Sequence, residues 1–433
     1  MPRTPLIHPA YAERFRCIGP ACEDTCCQGW AVPVELVTIE KFQTLPYGPL
    51  RKLIDVNILV TPSGEKNSKP ATFATMRMNT SNQCSMLTEE RLCRIQAQLG
   101  ESFLPHSCAI YPRIVNSIAG VEDKSLALSC PEAARLVLLN PHLLNTSHPR
   151  PSRSRFGARI EARQVPPANT LSPHSEFWPI RESVLALIRN RAYPLWQRLF
   201  LLGNFCRQMD GIAKGEFHCS ISDFLRDFET SVSSGTARKT MNTLPVSRLQ
   251  QLDFVLRLAG LLLQTSVVHQ RFSECVQSFT RGIGNGPHAT LGSLTANYTV
   301  AHDHYYAPFF ERHPYILENY LINAIFRYEF PFGRGVMQSG AAPSMAHEHV
   351  WLITQFVLIK GLLIGVAGFH GEAFSAGHVI HTVQATSKHF EHCAEFPDRA
   401  YALLVERHLG SELGIAALLR NTEPAQKRRS ATA

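Results

Sequence analysis

"VWLITQFVLIKGLLIGVAGF", residues 350–369, is the most apolar run in the chain, and its reading decides the fold. It is nearly long enough to cross a bilayer, which takes about 20 apolar residues. Gln355 and Lys360 interrupt it, and His347, Glu348, His349 and His370 flank it. We read it as a buried helix of a large α domain, with membrane contact as the alternative. A helix that is apolar all round must be enclosed by other elements, and the surrounding sequence offers helices. "ESVLALIRNRA" (182–192) places Val184, Leu185, Leu187, Ile188 and Ala192 on one broad apolar face. "PLWQRLFLLGNFCRQM" (194–209) begins with a proline suited to a first helical turn and repeats Leu195, Leu199, Leu202 and Cys206 at helical spacing. The runs 247–268, 313–330 and 377–396 behave likewise, and "DRAYALLVERHLG" (398–410) reads as a last helix with a glycine stop.

Beyond residue 175 no alternating run suggests a strand. The expected fold is therefore mainly α: a Cys-rich, metal-binding N-terminal region of loops and short helices, followed by an α-helical domain. Residues 1–140 hold eight of the twelve cysteines, which marks them as a separate region. Residues 141–175, rich in Pro, Ser, Arg and Asn, read as a linker or surface loop. The helical domain is expected over 176–412, and 413–433 as a polar basic tail ending in "KRR".

The composition, 45% hydrophobic and 18% charged over 433 residues, is that of a soluble globular protein. The net charge of +8 is compatible with nucleic acid, an anionic membrane or an acidic protein, and selects none. Part of it is local, since "RPSRSRFGARIEAR" (150–163) carries five Arg against one Glu. We assign no nucleic-acid partner. "MPRTPLIHPAYAERF" lacks the apolar core of a secretory signal. A cytoplasmic, reducing location follows as the expectation, and there thiols stay free.

The eight N-terminal cysteines form two groups. The first is Cys17, Cys22, Cys26 and Cys27, in "RCIGPACEDTCCQGW" (16–30). The second is Cys84, Cys93, Cys108 and Cys130, in "NQCSMLTEERLCRI", "LPHSCAIYPR" and "ALSCPEAARL". Disulfides would suit a small secreted domain, and this chain is neither small nor visibly secreted. Plain buried thiols do not explain four cysteines in eleven positions. Zinc is the rival reading, but no CxxC knuckle occurs, and adjacent Cys26 and Cys27 diverge awkwardly for one tetrahedral ion. An iron–sulfur core accepts irregular spacing and distant contributions better. We favour it, with zinc as the alternative metal. All eight cysteines are candidate ligands, the first group ranked ahead. The CxxxCxxC motif of radical S-adenosylmethionine enzymes is incomplete, because Gly29 stands where its third cysteine belongs.

Outside the cysteines the signals are weaker. Asn319, Asn323 and Arg327 recur every four residues in "ILENYLINAIFRYEF" and share a face of an apolar helix. A buried structural network is the ordinary explanation of such a stripe. As candidates for a pocket wall, they include an arginine able to hold a carboxylate. The clusters "HDHYY" (302–306), His347 with His349, and His389 with His392 are read as loop or helix-end residues in preference to metal ligands. "RGIGNGP" (281–287) has no preceding strand and reads as a turn, not a nucleotide loop.

Together these pieces resemble the flagellin lysine-N-methylase family. The residues that carry the resemblance are "FRCIGPACEDTCCQGW" (15–30), "LCRIQAQLGESFLPHSCAIYPR" (92–113), "SLALSCPEAARL" (125–136) and "ILENYLINAIFRYEFPF" (316–332). The Cys-rich part is also similar to a broader group of zinc- or iron-chelating proteins. The resemblance implies an S-adenosyl-L-methionine-dependent methyltransferase acting on surface lysine ε-amino groups of flagellin in the bacterial cytosol. It further implies a Cys-ligated 4Fe–4S cluster, and it leaves room for peripheral membrane association and for oligomers. The competing reading is a non-enzymatic zinc- or iron-chelating protein, or an iron–sulfur redox or sensor module.

Overall fold

The computed structural model describes residues 9–60, 74–118, 121–144, 176–265, 268–333 and 344–421. The expected linker falls outside these residues from 145 to 175, as does the end of the expected tail from 422 to 433.

The apolar run that opened the reading becomes a single helix, Met345–His370. Its start is fixed by polar groups from two directions. Ser344 accepts a hydrogen bond from the His347 N–H at 3.2 Å. The Asp210 carboxylate accepts the N–H groups of Met345 and Ala346 at 2.8 and 3.0 Å. A negative charge there also meets the positive end of the helix dipole. By length and composition this helix could span a membrane, but 94% of its most apolar window is buried. Other helices cover it: Leu195–Ala213, Arg248–Leu263, Gln270–Gly282, Leu291–Ala301 and Ala376–Glu391 all pack against it. This central helix is apolar on every side because it touches protein on every side.

Two features let the neighbours come close. A Cβ on Gly282 would lie 1.8 Å from the Gly365 carbonyl oxygen, so the helix Gln270–Gly282 crosses the central helix at backbone contact. Lys360, the charged interruption, turns its ammonium to the end of the helix Glu412–Leu419. There it donates to the Leu419 carbonyl and the Asn421 side chain, each at 2.8 Å. It thereby satisfies acceptors that a helix C-terminus leaves open.

All strands among the described residues precede residue 127. A three-stranded antiparallel sheet has the order β1 (Pro33–Val34), β3 (Ala74–Met76), β2 (Ile58–Val60), with Val34 and Val60 both opposite Ala74. A hairpin pairs β4 (Arg113–Ile118) with β5 (Val121–Leu126), Arg113 facing Leu126. Neither was legible in a sequence read as loops and short helices: the sheet strands are two or three residues long, too short to show a period.

The structure draws its internal boundary differently from the cysteine count. A small core of Val32, Val34, Phe42, Ile54, Met76, Met86 and Ile95 carries Cys84 within it and Cys27, Cys93 and Cys108 at its edge. Tyr11, Phe15 and residues 126–144 belong instead to the large core, which continues to Leu419. At the other end, the helix Glu412–Leu419 buries Ile415, Ala416, Leu418 and Leu419, so the first part of the expected tail is core.

Candidate metal centre

Backbone pairing brings the distant cysteine segments together. The Gly29 N–H donates to the Asn82 carbonyl at 3.0 Å, and the Cys84 N–H to the Cys27 carbonyl at 2.8 Å. Leu87 bridges back to Cys93, closing the chain between Cys84 and Cys93. Cys93 and Cys130 each occupy the N-cap of a helix, Arg94–Leu99 and Pro131–Leu138. Unpaired N–H groups there favour a thiolate. Cys108 lies in the short helix His106–Ile110, whose first N–H is held by the Glu35 carboxylate at 3.1 Å.

The loop around the first group is fixed residue by residue. The Trp30 indole N–H donates to the Cys26 carbonyl at 2.7 Å. Gly29 has φ +93°, and a Cβ there would lie 2.2 Å from the His269 ring, so both backbone and space demand glycine. Asp24, between Cys22 and Cys26, points into the helical body. Its carboxylate accepts from the Lys388 ammonium at 2.9 and 3.0 Å and from the Gln384 amide at 2.7 Å. Lys388 also donates to the Thr25 carbonyl at 2.8 Å. Gln384 donates to the Ser129 carbonyl, beside Cys130, at 2.9 Å and accepts from Arg271 at 2.8 Å. One face of the helix Ala376–Glu391 thus grips both the Cys22–Cys26 loop and the Cys130 segment. Sequence reasoning missed this clamp. Gln384 and Lys388, four apart and so on one face of the helix, were its only signal.

The result is a thiol-lined cavity of about 260 Å³ bordered by Cys17, Cys22, Cys26, Cys27, Cys93, Cys108 and Cys130. Cys84 borders a smaller adjoining cavity of about 50 Å³, which shares Cys26, Cys27, Cys93 and Cys108 with the first. All eight candidate cysteines therefore converge on one place, and all are free thiols. Among the described residues, no three His, Cys, Asp or Glu side chains are arranged to grip a single metal ion. Thiol donors are soft, and both zinc and an iron–sulfur core accept them.

The thiols differ in acidity. Cys26 accepts a hydrogen bond from the Cys27 thiol and is lowered to about 7, with Lys388 adding a favourable charge. Cys27, the donor of that bond, is pushed up. Burial raises Cys22, Cys84, Cys93 and Cys108, and takes Cys130 to about 12. Burial also opposes ionisation of Asp24, but Lys388 and the hydrogen bonds outweigh it and hold that carboxyl below its usual range. A positive inorganic core would have to displace protons to enter.

The stripe Asn319, Asn323 and Arg327 lies elsewhere and borders neither cavity. Asn319 donates to the Val137 and Asn140 carbonyls at 3.0 and 2.7 Å, closing the end of the helix Pro131–Leu138. Asn323 accepts from the Tyr11 hydroxyl at 2.7 Å and exchanges two hydrogen bonds with the Leu126 backbone. Arg327 pairs with Glu391 at 2.5 Å. Asn319 and Asn323 thus dock the hairpin and its following helix onto the body, and Arg327 ties two helices of the body together. Of the histidine clusters, His302 pairs with Asp303 in a π-helical turn, His349 bonds the Leu199 carbonyl, and His389 bonds the Leu262 carbonyl. The glycines of 281–287 close a helix, as expected of a turn.

The C-terminal domain of the FliB lysine N-methylases matches residues 181–418, which include Arg271, Gln384 and Lys388 of the clamp. The flagellar biosynthetic protein FliU of Salmonella muenchen is 30% identical over 136 residues, covering 31% of this chain and 78% of that relative. Lysine-N-methylases of Salmonella typhimurium and Salmonella choleraesuis are 30% and 29% identical over 142 residues. Those two alignments span 33% of this chain and only 34% of each relative. No solved structure matches the chain. With the match to the methylase C-terminal domain extending over more than half its length, the chain belongs to the FliB lysine N-methylase family.

Proposed function

We propose that this protein is an S-adenosyl-L-methionine-dependent methyltransferase that modifies lysine ε-amino groups of flagellin in the cytosol, and that its thiols hold a 4Fe–4S cluster. Family membership supports lysine methylation, and the flagellar name of one relative supports a flagellar substrate. The observation that carries the cluster is the gathering of eight thiols from four separate segments onto adjoining cavities. When bound, such a cluster would supply an iron centre able to accept and donate an electron.

The chain's own residues have three tasks. The clamp of Lys388, Gln384 and Arg271 sets the spacing of the thiols from the side of the methylase domain. Phe15, Leu104, Tyr111 and Pro112 give the cavity an apolar wall that limits water. Such a wall also favours the neutral form of an entering lysine amine, whose ordinary pKa is about 10.4. Only that form carries the lone pair a methyl acceptor needs.

Co-expression with flagellin, followed by intact-mass analysis, tests the reading. Methyl increments on flagellin lysines that disappear when Cys26 and Cys27 are both replaced by alanine are the expected result. Unmodified flagellin beside folded, metal-loaded protein would overturn the enzymatic reading. Colourless protein carrying zinc would overturn the cluster.

A further inference from the structure

The thiol cavity has a cationic rim that the clamp does not use. Arg16, Arg91 and Arg113 line it, and among the described residues the only acids in its wall are Asp24 and Glu101. Asp24 is already committed to Lys388. Two of the arginines are held side by side by one acceptor: Arg16 Nη1 and Arg113 Nη2 donate to the Phe15 carbonyl at 2.8 and 3.0 Å. The Arg113 guanidinium lies 5.1 Å from the centre of the Phe15 ring, which fixes its plane. Arg113 begins β4, directly after the Tyr111–Pro112 corner that borders the cavity, so its position is set by the hairpin and not by a mobile stem. Among the described residues none of the three arginines has a carboxylate within ion-pairing distance. Arg113 is half-buried, whereas Arg16 and Arg91 are exposed. Like charges held together are stabilised by an anion, and a guanidinium fork matches a carboxylate.

We infer that this rim, with Arg113 as its fixed member, receives the α-carboxylate at the amino-acid end of the cofactor. The inference rests on the function proposed above and adds the residues that orient the cofactor in the cavity. The same charges disfavour a protonated lysine at the mouth until a carboxylate has covered them.

Equilibrium dialysis of the metal-loaded protein against S-adenosylmethionine and its decarboxylated analogue isolates the carboxylate, the one group in which the two differ. We expect the wild-type protein to prefer the carboxylated compound by about tenfold or more, the scale of a charge-assisted bidentate pair. Arg113→Gln is expected to lose most of that preference while iron content and thermal midpoint stay at wild-type values. Arg113→Lys is expected to keep a fraction of it, and decides the matter should the glutamine variant fail to fold. An unchanged preference in the variants, or equal binding of both compounds by wild type, overturns the inference and leaves the cofactor reading intact. Loss of iron in both variants would assign the arginines to balancing thiolate charge, and also overturns it. Binding of neither compound would instead sink the proposed cofactor, and the rim with it.

Discussion

Replacing Lys388 by methionine removes the cation that joins the helical body to the first cysteine loop. The Lys388 and Asp24 side chains are only 6% and 11% exposed, and their closest atoms are 2.9 Å apart. Without Lys388 the Asp24 carboxylate keeps the Gln384 amide and the Thr25 N–H but loses its countercharge in a buried setting. Removing one partner of a buried pair costs about 3–5 kcal/mol, most of it the penalty of the stranded charge. Asp24 can escape part of that cost by taking up a proton, so its depressed carboxyl pKa should return upward in the variant. The assay is urea unfolding at neutral pH, with hydrogen exchange of residues 22–27 recorded in parallel. Lys388→Met should lose stability on that scale and expose the loop amides. The double variant Asp24→Asn with Lys388→Met removes both charges and should recover most of the loss, to within about 2 kcal/mol of wild type. A single variant as stable and as protected as wild type would refute the claim that this pair holds the loop.

Other perturbations have equally definite outcomes. Gly29→Ala forces φ +93° on a residue with a Cβ and drives it into the His269 ring; a loss of about 3 kcal/mol or more is expected in thermal or urea unfolding. Burial lowers the pKa of His269, His302 and His349 to about 4 each. The unfolded chain binds these protons near pH 6.5 and the folded one resists until about 4, so stability should be full above pH 6.5 and fall between 6.5 and 4, by up to about 3 kcal/mol per histidine. Urea midpoints at pH 7, 6 and 5 measure this, and His349→Gln should flatten the slope. Burial likewise lowers Lys360 to about 7 from an ordinary value of 10.5. In this case the unfolded chain holds the extra proton between 7 and 10.5, so stability should rise with pH across that window, and Lys360→Met should abolish the rise.

The helical class was legible because it is written in long runs. The central helix declares itself by apolarity, and Gln355 and Lys360 did not mislead, since a buried helix can direct one ammonium to a neighbouring helix end. The cysteines were legible as ligand candidates by type, and the structure brings all eight together although 113 positions separate Cys17 from Cys130. Their grouping was not legible. Proximity in sequence favoured Cys17, Cys22, Cys26 and Cys27 as a set, yet the Cys27 backbone pairs with Cys84, and Cys26 and Cys27 border both cavities. The clamp was illegible for a related reason. Asp24 and Lys388 are 364 positions apart, and no local period links an acid in a loop to a lysine on a helix.

The stripe Asn319, Asn323 and Arg327 then shows why the cysteine-rich part cannot be an appended module. Asn323 holds Leu126, Asn319 holds the end of the helix that Cys130 caps, and Gln384 holds the carbonyl of Ser129. Cys130 is thus placed by two helices of the methylase domain, whereas Cys84, Cys93 and Cys108 are placed by the small sheet-and-loop core. A group bound by thiols from both sides would weld the two cores together. Its loss would leave free thiols at the seam where those cores meet. Because ligands drawn from two cores must be brought into register by both, the geometry of the thiols depends on the packing of the helical body as much as on the cysteine motif itself. That dependence places Asp24, Gln384 and Lys388 beside the cysteines as determinants of the site, though none of the three has a thiol to contribute.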